Sequence, residues 1–155
     1  MFVQAFQSVT AEMNADEADA AGFVLARFKT CYVCLNRYPY SSGHLMVVPY
    51  LHTDSLANLP VDAAEEMIRV AQEVETALRK VYNPDGINLG LNLGRAAGAG
   101  VTEHIHLHVL PRWAGDTNFM TVVAETRVLP ETMEVTWKRL RPELERAESA
   151  EVGGN

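Results

Sequence analysis

A chain of 155 residues with 48% hydrophobic and 21% charged residues is long enough for one domain with a sizeable core, and its composition is that of a globular protein rather than a disordered one. A net charge of −7 argues against non-specific nucleic-acid binding, which needs clustered Lys and Arg. No apolar run approaches the roughly 20 residues of a membrane span, the opening "MFVQAFQSVT" has no basic region leading into an apolar stretch, and two cysteines do not make a disulfide framework. A cytoplasmic protein is expected, with no membrane and no nucleic-acid partner.

In chain order, residues 1–20 are Ala- and acid-rich and read as a loose lead-in to a domain over 21–148. "GFVLARF" (22–28) and "CYVCLNRY" (31–38) read as two strands joined by a turn at Lys29 and Thr30. "PYSSG" (39–43) is a turn and "HLMVVPY" (44–50) a third strand. From Asp62 to Tyr82, Met67, Val70, Ala71, Val74, Ala77, Leu78 and Val81 recur at three- and four-residue intervals, which predicts a long amphipathic helix. Asp62 and Glu65 have capping-box spacing, although Pro60 allows an earlier start, and "NPDG" (83–86) ends the helix.

"INLGLNLG" (87–94) alternates as a strand does, and "RAAGAGVT" (95–102) is a small-residue loop leading into "EHIHLHVLPRW" (103–113). "FMTVVA" (119–124) reads as a further short strand. A helix from about Glu131 to Glu148, whose solvated face carries the basic "WKRLR" (137–141), and a flexible tail over 149–155 complete the chain. Strands in runs with helices appended predict an α+β fold: an antiparallel sheet of about five strands with one long helix and a C-terminal helix.

Three of the five histidines fall on alternate residues of one run. In a strand this places His104, His106 and His108 on one face and Ile105, Leu107 and Val109 on the other, with Pro111 closing the strand. Chance placement on a solvent face is improbable. A His-x-His pair can bind Zn²⁺, but a third ligand is needed and acidic candidates nearby are few. An imidazole with an ordinary pKa of ~6.5 can also act as nucleophile and acid/base on a phosphorylated substrate. "GRAAGAGVT" favours this last reading, because Gly94, Gly98 and Gly100 allow backbone N–H groups to form a phosphate-binding concavity. It is neither a Walker loop nor a dinucleotide fingerprint.

"HIHLHVL" (104–110) matches His-φ-His-φ-His-φ-φ at every position, and the chain resembles the histidine triad (HIT) superfamily. "LNRYPYSSGHLMVVP" (35–49) and "NLGRAAGAGVTEH" (92–104) extend the resemblance, and "PRWAGDTNFM" (111–120) is similar to the diadenosine polyphosphate hydrolase and phosphorylase branch, which includes the fragile histidine triad proteins. The resemblance implies a HIT-like domain that cleaves a dinucleoside polyphosphate at the α-phosphate. It implies His106 as the nucleophile that becomes nucleotidylated, His108 as the group protonating the leaving phosphate, and His104 as the residue whose carbonyl orients His106. His44 would be a supporting histidine, Asn36 a ribose contact, and Asn92 with Gly98, Ala99, Gly100 and Val101 the phosphate contacts. It also implies a homodimer, with the long helix or an adjacent strand at the interface. No cofactor is obligatory, and any divalent cation would arrive with the substrate.

Some members carry a structural zinc on a Cys-x-x-Cys pair plus two histidines, for which His104 and His52 would be the partners. Here Cys31 and Cys34 lie inside a strand and point to opposite faces, so they read as core residues and no metal is expected; His52 reads as a surface residue. A slow nucleotide-binding regulatory module and a metal-dependent hydrolase stay open as alternatives. Between water and inorganic phosphate as acceptor, a loop in which Ala97, Ala99 and Val101 offer no side-chain donor leans toward water. Arg95 would offset this only by pointing inward.

Overall fold

The computed structural model describes residues 15–116 and 131–152. Helix α1 (Ala15–Gly22) is followed by β1 (Val24–Arg27), β2 (Cys31–Leu35) and β3 (Leu45–Pro49), then α2 (Val61–Tyr82), β4 (Gly86–Leu91), β5 (Leu107–Arg112) and α3 (Met133–Val152). The five strands form one antiparallel sheet in the order β1-β2-β3-β5-β4, the α+β architecture expected.

Period-two alternation divides the sheet into two faces. Leu25, Cys31, Val33, Leu35, Leu45, Val47, Leu107 and Val109 pack against Met67, Val70, Val74 and Leu78 of α2 and Leu140 and Leu144 of α3. Val24, Tyr32, Cys34, Met46 and Val48 form a second buried cluster on the opposite face. Val74, Leu78, Leu140 and Leu144 are fully enclosed, and each such side chain contributes about 1.5–3 kcal/mol of burial free energy. The Trp137 indole N–H donates to the Val24 carbonyl at 2.9 Å, which fastens α3 to the edge strand.

Several boundaries differ from the sequence reading. Residues 15–20 of the expected loose lead-in are helical, as part of α1, held by a two-pronged Arg27–Asp19 ion pair. Helix α2 starts at Val61 with Pro60 in the capping position and no side-chain cap, so the Asp62/Glu65 box is not used. The helix ends as expected, with Asn83 in the left-handed region. Regular β5 structure begins at Leu107 and runs through Pro111 to Arg112. Pro111 is tolerated because pairing with β3 ends at Leu45 with Val109. Helix α3 continues to Val152, into the expected tail. The strand expected over 119–124 lies outside the described residues.

The turn between β2 and β3 depends on Gly43, at φ +80, where an added Cβ would meet Tyr82 at 3.0 Å, Leu78 at 3.1 Å and Pro111 at 3.3 Å. Gly43→Ala should therefore cost about 1–3 kcal/mol through backbone strain and crowding together. Gly98→Ala, with a similar φ but nothing within 4 Å of the new methyl, should lose only the backbone part. Urea unfolding of the two variants checks this; equal losses would show that crowding at Gly43 is relieved.

Candidate active site

The pairing of β3 with β5 sets Met46 opposite His108 and places His44, one residue before β3, beside the histidine run. His44 Nε2 lies 2.9 Å from His108 Nδ1, with both rings buried. The proton positions follow from the partners, since an amide N–H can only donate and a carbonyl can only accept. The Tyr40 amide donates to His44 Nδ1 at 3.1 Å, and the Asn36 side-chain amide approaches the same atom at 3.4 Å. His44 therefore carries its proton on Nε2 and donates it to His108 Nδ1, so that neutral His108 has its own proton on Nε2.

The same logic fixes the other two rings. His106 Nδ1 is 3.0 Å from the His104 carbonyl and must donate to it, which makes Nε2 the lone-pair nitrogen of a neutral His106 ring. His104 Nε2 is 2.8 Å from the Pro49 carbonyl and donates to it, leaving a lone pair on Nδ1. His106 and His108 meet edge to face with ring centroids 4.6 Å apart. Burial, and secondarily the neighbouring His106, lowers the His108 pKa to about 4. Burial likewise lowers that of His104, against a smaller opposing effect of the Pro49 carbonyl. The protein thus holds these two rings neutral at pH 7. The arrangement presents an unprotonated nitrogen and an N–H on adjacent rings, which suits attack on phosphorus beside donation to a departing oxygen.

The three histidines are buried, but they are not three equivalent positions of one strand. His104 and His106 precede the regular part of β5, and His104 turns toward Pro49, away from the contact made by His106 and His108. The apolar residues between them, Ile105, Leu107 and Val109, enter the main core as the alternation requires.

Asn36 is half-buried beside His44, and its side-chain oxygen accepts the Tyr38 amide at 2.9 Å. Asn92 follows the last pair of β4 and β5, Leu91 with Leu107. In the loop, Arg95–Ala97 form a 3₁₀ turn and Gly98 is left-handed. The Gly98 amide donates to the Arg95 carbonyl at 3.0 Å, and the Ala97 and Ala99 amides donate to Gly94 at 3.2 and 3.4 Å. Two of the expected phosphate donors, Gly98 and Ala99, are thus turned into the loop itself, while Gly100 and Val101 follow the turn. Arg95 is exposed. A cavity of about 240 Å³ is lined by Asn36, Arg37, Ser42, His44, Thr132 and Thr136 among others; it reaches the histidine relay at His44.

Sequence reasoning misses Tyr40 and names His52 only as a surface residue or as a zinc partner of His104. Tyr40 fixes the His44 tautomer through its backbone amide, and its half-exposed ring lies 4.8 Å from that of His44. His52 is exposed, as a surface reading expects, yet its Nδ1 is 3.0 Å from His104 Nδ1. Neither leaves a mark in local periodicity, because the first acts through main chain and the second across 52 residues.

The lowered His108 pKa has a sign that can be checked. Between the unfolded value near 6.5 and the folded value of about 4, the unfolded chain binds the proton and the folded ring resists it, so acidification through that window removes stability. An NMR titration should show His108 neutral at pH 6, and His108→Asn should flatten the loss of urea stability between pH 6.5 and 4. A His108 ring already half-charged at pH 6.5 would contradict the burial argument.

The chain matches the HIT domain model over residues 17–115. It is 42% identical over 126 residues to an AP-4-A phosphorylase of Mycobacterium tuberculosis, covering 81% of this chain and 65% of that protein, so it spans somewhat less than two thirds of the relative's length. Its structure is similar to a zinc-bound histidine triad family protein of Mycobacterium smegmatis, at TM-score 0.68 and 32% identity over 86% of this chain and 91% of the other. The fold is also shared with a Plasmodium falciparum diadenosine triphosphate hydrolase, at TM-score 0.64 and 12% identity over 96% and 95% of the two chains. A zinc site does not fit the residues described. Cys31 and Cys34 are buried in different clusters on opposite faces, burial pushes both thiols up to about 12, and no group of three potential ligands occurs among the described residues. With the domain match spanning most of the chain and the buried triad in place, this protein belongs to the HIT family.

Proposed function

We propose that this chain is a nucleotidyl transferase that cleaves a dinucleoside polyphosphate, of the diadenosine tetraphosphate type, at the α-phosphate through a covalent intermediate on His106. One observation carries the reading: the His104 carbonyl takes the Nδ1 proton of His106 and leaves Nε2 as the nucleophilic nitrogen. In the first step the His106 Nε2–P bond forms as the bridging P–O bond breaks, and the departing nucleotide oxygen takes a proton from His108 Nε2. Positive charge arising on the His106 ring is shared with the His104 carbonyl.

A His108 that is neutral at pH 7 lacks the extra proton for this acid role. Phosphate oxygens placed beside the ring favour its charged form; the added proton goes to Nδ1, so the His44 Nε2–H that points there turns away as substrate binds. Asn36 serves as the ribose contact, Asn92 with the Gly100–Val101 end of the loop as phosphate contacts, and the Gly98 and Ala99 amides join once they exchange their bonds within the loop. No metal step is needed in this scheme; a divalent cation would enter on the polyphosphate.

The second step transfers the nucleotidyl group from His106 to an acceptor. The donor-poor loop and the exposed Arg95 lean toward water, whereas the 42% identity to a protein named AP-4-A phosphorylase favours inorganic phosphate. The weight of a relative matched over most of this chain exceeds that of the missing side-chain donors at Ala97, Ala99 and Val101, so phosphorolysis is the preferred second step. With diadenosine tetraphosphate and millimolar phosphate, the expected products are ADP plus ATP, formed at a phosphate-dependent rate. AMP plus ATP at a phosphate-independent rate would restore water, and two ADP would overturn cleavage at the α-phosphate. His106→Asn should lower turnover by at least about 10³-fold while nucleotide binding persists; activity within tenfold of the parent would remove the covalent mechanism.

We also propose a homodimer and a cytoplasmic location. Among the described residues β4 is an edge strand with exposed Leu89, a surface suited to pairing with a second copy. No described helix is long and apolar enough to cross a membrane, and Cys31 and Cys34 are unpaired thiols, as suits a reducing compartment. Sedimentation at micromolar concentration should give twice the 17.1 kDa chain mass; a monomer mass would exclude the dimer.

A further inference from the structure

The relay described above accounts for the rings of His44, His106 and His108, but it takes the position of the His104 carbonyl as given. That carbonyl orients the nucleophile, so whatever holds residue 104 in place holds His106. Two contacts from the segment after β3 do so. The Ile105 amide donates to the Thr53 carbonyl at 2.8 Å, and His52 Nδ1 meets His104 Nδ1 at 3.0 Å. Thr53 is itself fixed, its hydroxyl lying 3.2 Å from both the amide and the carbonyl of Ser55.

Proton counting makes the second contact directional. His104 Nε2–H is committed to the Pro49 carbonyl at 2.8 Å, so Nδ1 of the neutral ring offers only a lone pair. His52 must then hold its proton on Nδ1 and donate it. The two rings meet edge to face with centroids 5.0 Å apart, which adds a packing contact to the hydrogen bond. The His104 ring is thus pinned on one side by main chain and on the other by His52, while its own carbonyl receives the His106 Nδ1 proton.

We propose that His52 is a positioning residue for the nucleophile: by donating from Nδ1 to His104 it holds the carbonyl that selects the reactive tautomer of His106. The inference rests on the reading of His106 as nucleophile and extends it to a residue exposed at the surface. His52 touches neither substrate nor the reacting nitrogen, so its effect falls on turnover and on the His106 ring rather than on nucleotide affinity.

Three variants test this. His52→Ala removes ring and donor, His52→Phe keeps the ring packing without the donor, and His52→Asn returns an amide N–H close to the position of Nδ1. With a diadenosine polyphosphate substrate, the Ala and Phe variants should lose kcat roughly tenfold, the equivalent of one neutral hydrogen bond, with KM changed less than about twofold. His52→Asn should recover kcat to within about threefold of the parent. Nitrogen-15 spectra of the imidazoles should show the single Nδ1–H form of His106 in the parent and a mixture of tautomers in the Phe variant.

Unchanged kcat in both the Ala and Phe variants, an Asn variant as slow as the Phe variant, or a slowed variant with the His106 signature intact would each overturn the proposal. So would stoichiometric zinc in the purified protein that disappears with His52→Ala, since a bridging ion would then replace the direct bond. His106→Asn is measured in parallel. If it remains active, the nucleophile reading itself falls; if it is inactive while the His52 variants are normal, only the role of His52 falls.

Discussion

The structure depends on the register between β3 and β5. Three residue pairs, Leu45 with Val109, Met46 with His108 and Val47 with Leu107, join segments 60 to 64 residues apart. A slip of one residue would turn every side chain of one strand to the other face, taking His108 into the helix-covered core and Val109 out of it. Burial of Leu45, Val47, Leu107 and Val109 against α2 and α3 prevents that slip. The apolar side of the sheet, which makes no contact with substrate in the proposed reaction, therefore decides where the imidazoles stand.

Given that register, the proton wiring follows from the main chain. The Tyr40 amide, the His104 carbonyl and the Pro49 carbonyl each touch one ring. Main-chain groups have a fixed donor or acceptor character, so each contact selects one tautomer. Side-chain contacts then pass the choice from His44 to His108 and from His104 to His52. No fixed charge is required, and the low pKa of His108 shows that the protein itself disfavours one there. Charge arrives with an anionic substrate, which makes acid catalysis conditional on occupancy.

The glycine-containing loop follows a related economy. Its 3₁₀ turn satisfies the Ala97, Gly98 and Ala99 amides internally, so the loop is self-bonded at the place where sequence suggests open donors. A phosphate would have to compete with those bonds, at about 0.5–1.5 kcal/mol each, and such competition discriminates against weakly charged ligands. The cysteines show the opposite situation, in which nothing awaits a ligand: the strand places one in each cluster and burial suppresses ionisation of both.

The alternating run at 104–110, the periodic helix over 62–82 and the turn signals between them determine by themselves the fold class, the face carrying the histidines, and the separation of Cys31 from Cys34. These are properties of period two and period 3.6, repeated every few residues and independent of what lies across the sheet. Only the tertiary structure decided that His104 bends toward Pro49, that regular pairing starts at Leu107, that the loop amides close on themselves, and that His52 meets His104. The first and last of those outcomes rest on contacts across 55 and 52 residues, and the loop closure on competition between neighbouring acceptors. Local pattern holds no record of either, because a histidine at the end of a strand has the same sequence neighbours whether its proton is directed to water or to another ring.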